Sequence, residues 1–370
     1  MQRNEFSRRQ WLKQLSFAAG AAAIGSASPL TALSAPASPV AAGANGERKR
    51  VLRVAHLTDV HVQPERSAGE GLAACVRHVQ SQADKPDVIF TGGDHVMDST
   101  RRDRARTQVQ WDVWRTVMKA ECSLPVFSAI GNHDCWGWDK RASGTRGDEL
   151  LWGKKWAADA LALERTYFSI DRAGWHFVFL DSILPEHDET TRQAYVGGLD
   201  DEQFDWLQRD LAQAPATSPV MIVSHIPIYS VAALNGNAKD ATGAVRFPRG
   251  GVFGDYKRLK ELFRRHRNVK LAVSGHLHLN ERIDYAGMTY ICNGAVSGGW
   301  WKGPHIDECE AGYALINLYD DGTFENEYVP FGWAYRPDAP ATGPASQPAA
   351  AGGFPVGRGR NCLTLSGHTA

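Results

Sequence analysis

The sequence lacks several features that would place it in a class by composition alone. Its six cysteines include no Cys-x-x-Cys pair, so it offers no thiolate cluster for zinc or redox chemistry, and their spacing predicts no specific disulfide. Basic and acidic side chains are equal in number, 41 of each, and this balance gives no global field that favours nucleic acid or an anionic membrane. No apolar run predicts a stable membrane span, and no internal repeat is present.

What the sequence contains is the pattern of a large α/β domain. A chain of 370 residues with 43% hydrophobic residues can bury a substantial core. From Val51, short apolar runs alternate with longer amphipathic segments, which predicts repeated β-α units. Strands are predicted at 51–62, 87–93, 125–130, 167–170, 176–182, 220–224 and 269–274, and helices near 68–83, 103–120, 200–213 and 256–263. Antiparallel hairpins are predicted from 282–285, 289–293, 313–318 and 323–329.

The N-terminus resembles a twin-arginine export signal. Ser7-Arg8-Arg9-Gln10-Trp11-Leu12-Lys13 precedes a weakly apolar Ala/Gly run at 17–27, and small residues between about Ala35 and Ala42 offer cleavage sites. The alternative is a disordered basic N-terminus. The resemblance implies that the twin-arginine export machinery is a partner and that the protein is periplasmic or extracellular. We assign 1–42 to a signal peptide and linker, 51–335 to the folded domain, and 336–370 to a Pro/Ala/Gly-rich tail.

Five short segments at predicted strand ends supply three carboxylates, five histidines and one asparagine. They are Asp59-Val60-His61, Gly93-Asp94, Gly131-Asn132-His133-Asp134, His225-Ile226-Pro227 and Gly275-His276-Leu277-His278. The carboxyl ends of strands in a parallel or mixed sheet open on one crevice, so these residues are predicted to converge. Alternation along a strand predicts that both ligand-type residues of an Asp-x-His or His-x-His segment face the same side.

The types of residue in these segments fit a pair of metal ions. Carboxylate, imidazole and amide oxygen suit Mn, Fe or Zn. One carboxylate shared between two ions holds them roughly 3.5 to 4 Å apart, the separation used for in-line attack at phosphorus. Asp94 is the predicted bridge.

The five segments, in this order, resemble those of the calcineurin-like metallophosphoesterase superfamily. The resemblance covers roughly residues 51 to 300, and the motifs are weak singly but specific together. It implies that 51–335 is a metallophosphoesterase domain, built as a four-layer αββα sandwich of two mixed β-sheets flanked by helices. It also implies two divalent or trivalent metal ions (Mn, Fe or Zn), the first bound by Asp59, His61, Asp94 and His278 and the second by Asp94, Asn132, His225 and His276.

The activity implied is that of a binuclear metal-dependent hydrolase of phosphate esters. A metal-bridging hydroxide is expected to attack phosphorus, and His133 to contact the phosphate or protonate the leaving oxygen. Asp134 is expected either to orient or charge His133 or simply to cap the turn. The expected substrate is a small-molecule phosphate ester. A phosphodiesterase or broad phosphatase is favoured over a phosphomonoesterase-only enzyme or a metal-binding non-catalytic module, and nucleic acid is disfavoured because tracking its backbone requires clustered cations.

The sequence departs from the family's pattern after the bridging carboxylate, where His95 replaces an aliphatic residue and Asp98 falls one position late for the family's second carboxylate. For His95 we favour a loop histidine with its hydrogen bonds satisfied over a substrate contact. Two tryptophan clusters, at 135–138 and 298–305, flank the motifs. Together they are expected to select an apolar or aromatic leaving group, although core packing is favoured for any single ring.

Overall fold

The computed structural model describes residues 48–186, 194–232, 249–303 and 309–336. The predicted signal peptide and linker lie outside these ranges, as does the predicted tail apart from Arg336. One of the two compact units of the chain begins at Arg48. Within the described ranges no helix combines the length and the apolar character needed to cross a membrane.

Two large mixed β-sheets form the centre of the fold. The strands are Arg50–Leu57 (β1), Val88–Gly92 (β2), Val126–Ala129 (β3), Phe168–Arg172 (β4), Trp175–Phe179 (β5), Ile183–Pro185 (β6), Tyr195–Gly197 (β7), Val220–Val223 (β8), Val269–Ser274 (β9), Glu281–Tyr285 (β10), Met288–Cys292 (β11), Gly312–Tyr319 (β12) and Phe324–Pro330 (β13). The first sheet has the strand order β13-β12-β1-β2-β3 and the second β10-β11-β9-β8-β5-β4, while β6 and β7 pair separately.

Helices cover the outer face of each sheet. They are Ala68–Gln80 (α1), Arg104–Glu121 (α2), Lys140–Ser143 (α3), Lys155–Ala160 (α4), Asp201–Gln213 (α5) and Tyr256–Arg265 (α6). Helices α1 and α2 pack on the first sheet in one hydrophobic cluster, and α5 and α6 pack on the second sheet in another. The layers therefore follow the order αββα, which confirms the predicted fold.

Alternation along the strands divides the core between two faces of each sheet. In β5, Phe177 and Phe179 join a cluster that contains side chains from both sheets, whereas Val178 packs with the helices. The same division occurs in β1, where Val54 lies between the sheets and Ala55 faces the helical layer. Because both faces of these strands are buried, they read as continuous apolar runs in the sequence.

The parallel strands within each sheet set the position of the site. Strands β1, β2 and β3 are parallel neighbours in the first sheet, and β5, β8 and β9 are parallel neighbours in the second. The carboxyl ends of parallel neighbours lie at one edge of a sheet, where the loops that follow them meet. The hairpins β10-β11 and β12-β13 are antiparallel, as predicted.

Helix α5 begins where the sequence predicts. Asp200 and Gln203 have the spacing of a capping box, but only one of the two bonds of such a box forms. Asp200 accepts a hydrogen bond from the backbone nitrogen of Gln203 at 2.8 Å. The Gln203 side chain pairs with the backbone of Asp181 instead, through two bonds of 2.9 Å. The residue that would complete the box therefore ties α5 to the end of β5.

His176 in β5 links three elements through two carboxylates. Its Nδ1 lies 2.8 Å from Asp171 of β4, and its Nε2 lies 2.9 Å from Asp210 of α5. Burial lowers the pKa of His176, but hydrogen bonds to the two carboxylates raise it more, so the net pKa is above 6.5. Folding therefore favours the protonated ring.

We expect His176→Gln to destabilise the fold more at about pH 5.5 than at about pH 8.5. A pKa that folding raises contributes stability that is fully present below the unfolded-state pKa and is lost as the pH rises through the folded-state pKa. Urea unfolding should show a loss of about 1 kcal/mol at the lower pH and a smaller loss at the higher pH.

His266→Gln is the matched control, because burial and Arg265 lower the pKa of His266. His266→Gln should therefore lower the free energy of unfolding more at about pH 8.5 than at about pH 5.5. An equal loss at both pH values for His176→Gln would show that the ring contributes through packing and not through its charge.

Candidate metal centre

The seven predicted metal ligands converge in loops at the carboxyl ends of five strands. They are Asp59 and His61 after β1, Asp94 after β2, Asn132 after β3, His225 after β8, and His276 and His278 after β9. All are buried except His276, which is partly exposed. Two sheets thus contribute side chains to one cluster.

The ligand side chains converge by a different backbone geometry from the one predicted. Strand β1 ends at Leu57 and β9 ends at Ser274, so the pairs after them lie beyond the regular alternation of the strand. Five of the seven ligands adopt positive φ: Asp59 (55°), His61 (50°), Asp94 (53°), His276 (73°) and His278 (53°). Non-glycine residues rarely occupy this region, and they do so where the surrounding structure holds them.

Glycine is required at two positions of the motifs, because neighbouring atoms occupy the space that a Cβ atom would take. A Cβ atom on Gly131 would lie 2.1 Å from Oδ1 of Asp94, and one on Gly275 would lie 2.2 Å from Oδ2 of Asp59. These glycines allow the loops to approach the two carboxylates closely. The glycine before Asn132 and the glycine before His276 therefore have a steric function.

The first group of ligands contains Asp59, His61 and His278. The two histidine Nε2 atoms are 3.0 Å apart, and Oδ1 of Asp59 lies 3.3 Å from Nε2 of His278. Oδ2 of Asp59 accepts hydrogen bonds from Thr58 at 2.6 Å and from the backbone of His276 at 2.8 Å. Oδ1 accepts none, although it is buried. This oxygen and the imidazole nitrogens face a common point.

The second group contains Asp94, His225 and His276, with Asn132 beside them. Nε2 of His225 lies 3.2 Å from Oδ2 of Asp94, 3.0 Å from Oδ1 of Asn132 and 3.2 Å from Nδ1 of His276. Nε2 of His276 is buried and has no hydrogen-bond partner. Carboxylate, amide and imidazole donors are thus within contact distance of one another.

Backbone carbonyls determine which ring nitrogen carries hydrogen in three of the histidines. Nδ1 of His225 lies 2.7 Å from the Gly92 carbonyl, and Nδ1 of His278 lies 2.6 Å from the Gly298 carbonyl. Nδ1 of His133 likewise faces the Met97 carbonyl. A carbonyl accepts only, so each Nδ1 donates and the lone pair of each neutral ring is on Nε2, the arrangement of metal-binding histidines.

Asp94 lies between the two groups. Its Oδ2 is 3.2 Å from Nε2 of His225 in the second group and 3.6 Å from Nε2 of His61 in the first. Its Oδ1 accepts a hydrogen bond from the backbone of His133 at 2.8 Å. One carboxylate oxygen is therefore held by the protein, and the other faces ligands of both groups.

The electrostatics of the cluster favour added positive charge. Burial raises the pKa of Asp94, but neighbouring His225 and His133 lower it more, so its pKa is well below the usual range. Burial lowers the pKa of His225, but Asp94 raises it to about 9. Burial and the charge of His225 lower the pKa of His276 to about 3. A proton on His225 and a metal ion are alternative ways to balance the same carboxylate.

His133 and Asp134, the two residues predicted to be catalytic, differ in exposure and in their contacts. The His133 side chain is 32% exposed, and its Nε2 lies 4.0 Å from Oδ2 of Asp94. Asp134 is fully buried; its Oδ1 accepts from the His95 backbone at 2.9 Å and its Oδ2 from the Gly131 backbone at 2.8 Å. The Met97 carbonyl, and not Asp134, contacts Nδ1 of His133. The alternative, a carboxylate that caps the turn, describes the observed contacts.

His95 is a buried histidine with both ring nitrogens satisfied, as favoured from the sequence. Its Nε2 lies 2.7 Å from the Thr91 hydroxyl, and its Nδ1 lies 2.9 Å from Oδ2 of Asp134. Its ring packs edge-on against Trp114 at 4.6 Å. The sequence places His95 and Asp134 far apart and gives no signal that pairs them.

Asp98 and the tryptophans of the two clusters lie in different environments around the site. Oδ1 of Asp98 caps the backbone of Arg101 at 3.1 Å, and its charge helps to raise the pKa of His133 against the opposing effect of burial. Three tryptophans of the two clusters are buried, namely Trp136, Trp138 and Trp301. Trp300 is partly exposed, and its ring lies 4.4 Å from the ring of His278. One ring of the clusters therefore contacts a predicted ligand.

Comparison with known proteins gives a consistent family. Residues 52–280 match the calcineurin-like phosphoesterase family. A probable cyclic nucleotide phosphodiesterase from Synechococcus sp. is 25% identical over 285 residues, which cover 75% of this chain and 91% of the relative. A second protein of that description, from Rhodococcus erythropolis, is 24% identical over 292 residues, covering 75% of this chain and 83% of the relative.

A solved structure supports the same fold. The crystal structure of a dimetal phosphatase from Danio rerio aligns with a TM-score of 0.52 and 17% identity, covering 73% of this chain and 94% of that chain. At this level of identity the similarity concerns the fold alone. Because the family match extends over more than half of the chain and coincides with histidines and carboxylates that could hold metal, the chain belongs to the calcineurin-like phosphoesterase family and is a phosphoesterase.

Proposed function

We propose that this phosphoesterase binds two metal ions and hydrolyses small phosphodiesters. The observation that carries the proposal is the position of Asp94, whose Oδ2 faces His61 of one ligand group and His225 of the other. A shared carboxylate is the feature that distinguishes a two-metal site from two separate sites.

The residues present fit this pair of ions. Buried Oδ1 of Asp59 and Nε2 of His276 have no hydrogen-bond partner, which is costly unless another group occupies the space. The first ion would be held by Asp59, His61, Asp94 and His278, and the second by Asp94, Asn132, His225 and His276. Their oxygen and imidazole donors suit Mn, Fe or Zn. Bound ions would supply Lewis acidity, lowering the pKa of a water and offsetting charge on the phosphoryl oxygens.

His133 is proposed to bind the phosphate and protonate the leaving oxygen. The Met97 carbonyl fixes its Nδ1, which leaves Nε2 directed towards the cluster, 4.0 Å from Oδ2 of Asp94. Its partly exposed side chain is accessible to a ligand, in contrast to buried His61 and His225. A ring held at one nitrogen and open at the other is suited to proton transfer.

The preference for diesters is supported by the relatives. The two relatives, which align with this chain over 91% and 83% of their own length, are described as probable cyclic nucleotide phosphodiesterases. The zero net charge of the chain gives no field for tracking a polynucleotide. A small diester, including a cyclic nucleotide, therefore fits better than nucleic acid.

We expect His133→Ala to lower kcat for a bis-aryl phosphodiester by roughly 10²- to 10⁴-fold while two metals per chain remain bound. Asn132→Ala should lower both activity and metal content, because it removes a proposed ligand. Metal analysis of each purified protein should be combined with assays on paired aryl phosphomonoester and bis-aryl phosphodiester substrates.

Arg172→Ala is a suitable control, because Arg172 is a partly exposed residue at the end of β4 and lies outside the ligand loops. Its metal content and activity should match the wild type. A wild-type protein that binds one metal, or none after Mn, Fe or Zn is restored, would contradict the two-metal proposal. Activity on the monoester alone would instead overturn the diester assignment.

Asp134 is proposed to position the Asn132-His133 turn without taking part in the reaction. We expect Asp134→Ala to reduce the free energy of unfolding by roughly 3 kcal/mol, since it leaves the backbone donors of His95 and Gly131 buried and unpaired. Urea unfolding of the metal-free protein isolates this effect from metal binding.

Asp139→Ala provides the comparison, because Oδ1 of Asp139 caps the short helix α3 by accepting from the Ala142 backbone at 3.0 Å, and Oδ2 lies 3.3 Å from Arg101 at the surface. That variant should lose about 1 kcal/mol. If Asp134→Ala were no more costly than Asp139→Ala, the buried carboxylate would not have the positioning role proposed.

We also propose that the protein is exported by the twin-arginine route. Support comes from the segment Ser7-Arg8-Arg9-Gln10-Trp11-Leu12-Lys13 and from the mild apolar run that follows it. Export of folded protein would suit an enzyme that acquires its metals before it leaves the cytoplasm. The proposal places the mature enzyme in the periplasm or outside the cell.

Replacing both Arg8 and Arg9 by lysine is expected to abolish export in a bacterial host that has this pathway. Immunoblots of periplasmic and cytoplasmic fractions measure the result, and Arg3→Lys, upstream of the motif, serves as the control. Normal processing and export of the double variant would refute the assignment of the signal.

A further inference from the structure

Trp300 lies beside two of the proposed ligand histidines. Its ring lies 4.4 Å from the ring of His278 at an interplanar angle of 33°, and 6.1 Å from the ring of His61. Both histidines belong to the first ligand group. The Trp300 side chain is partly exposed, whereas Trp301 next to it is fully buried.

The buried neighbour fixes the loop that carries Trp300. Nε1 of Trp301 donates to the carbonyl of Val60 at 2.9 Å and lies 3.2 Å from the carbonyl of His61. Its ring packs over Gly71 of α1, where even a Cβ atom would lie 2.2 Å from the indole. The loop is thus anchored on the same segment that presents Asp59 and His61.

Two further bonds join this loop to the ligands. The Ser297 hydroxyl donates to the carbonyl of Asp59 at 2.7 Å, and the Gly298 carbonyl accepts from Nδ1 of His278 at 2.6 Å. The positions of Asp59 and His278 therefore depend on the loop, and the position of the loop depends on them. Trp300 is held at a defined distance from the proposed metal site.

The backbone at Trp300 and Trp301 is strained. Their φ angles are 53° and 63°, so two consecutive tryptophans occupy the left-handed region. Such residues are uncommon there, and glycine would relieve the strain. Strain of this kind is concentrated at ligand-binding sites, where surrounding contacts hold the side chain in a required direction.

A second aromatic residue lies beside the other ligand group. The ring of Tyr195 in β7 is 6.2 Å from the ring of His276 and nearly perpendicular to it. Trp300 and Tyr195 therefore each lie against a histidine of a different group.

We infer that Trp300 is a specificity-determining residue that stacks on a planar aromatic arm of the phosphate ester, such as a nucleobase or an aryl group. The inference rests on the proposed phosphodiesterase function and narrows its substrate class. Stacking of a flat ring on an indole is tolerant of the identity of the ring, so it selects for aromatic character and not for one base. Aliphatic esters would lack this contact.

The test measures binding to the metal-loaded protein, so that it does not depend on turnover. Phenylphosphonate and methylphosphonate are titrated calorimetrically into the wild type, Trp300→Ala, Trp300→Phe and Trp300→Leu. The wild type should prefer the phenyl compound. The preference is measured as the ratio of the two dissociation constants. It should fall about 10-fold in the alanine and leucine variants and stay close to the wild-type value in the phenylalanine variant.

The leucine variant separates stacking from support of His278, because leucine fills space without a π face. Trp206→Ala, at a partly buried tryptophan of α5 that packs on Tyr167 at 4.9 Å, should leave the preference unchanged. Equal weakening of both phosphonates in the Trp300 variants, or a preference retained in Trp300→Leu, would overturn the inference. Absence of phosphodiester hydrolysis by a wild type that still prefers phenylphosphonate would contradict the proposed function alone.

Discussion

The buried carboxylate of Asp94 is the group on which the rest of the site depends. It is 2% exposed, and a charge in such a place requires compensation by hydrogen bonds and by positive charge. The backbone of His133 satisfies one oxygen, while the other faces His61 and His225. The close approach of Gly131 and the left-handed backbone of Asp94 both follow from bringing the loops this near to one carboxylate.

The strained backbone and the buried charge at the ligand loops are tolerated because the two sheets that carry these loops are well packed. Phe90, Phe177 and Phe179 form edge-to-face contacts at 5.1 Å between the layers, and parallel strands hold the loop origins in register. Asp134 and His95 extend this rigidity into the loops, since they satisfy one another and the backbone around them. The cost of positive φ at five ligands is offset by regular structure elsewhere.

Sequence alone predicted the order of the elements and the convergence of the ligands, because apolar runs and strand-end polar residues are local signals. It misplaced the end of β1, which stops before Asp59. It placed the end of β9 correctly, but it extended strand alternation to His276 and His278, which lie beyond that end. It also could not pair His95 with Asp134, whose contact depends on how the loops after β2 and β3 pack. Such contacts are set by tertiary structure, which periodicity does not record.

The Trp300-Trp301 pair shows the same limit most clearly. Two identical adjacent residues cannot be told apart by composition or pattern, yet one donates to the carbonyl of Val60 from the core and the other lies on His278. The backbone is left-handed at both positions, yet the Trp301 ring is buried and the Trp300 ring is partly exposed. One tryptophan therefore anchors the loop, and the other lies against His278 from the same loop, so the position of a proposed ligand and the position of the indole beside it both depend on one segment of chain.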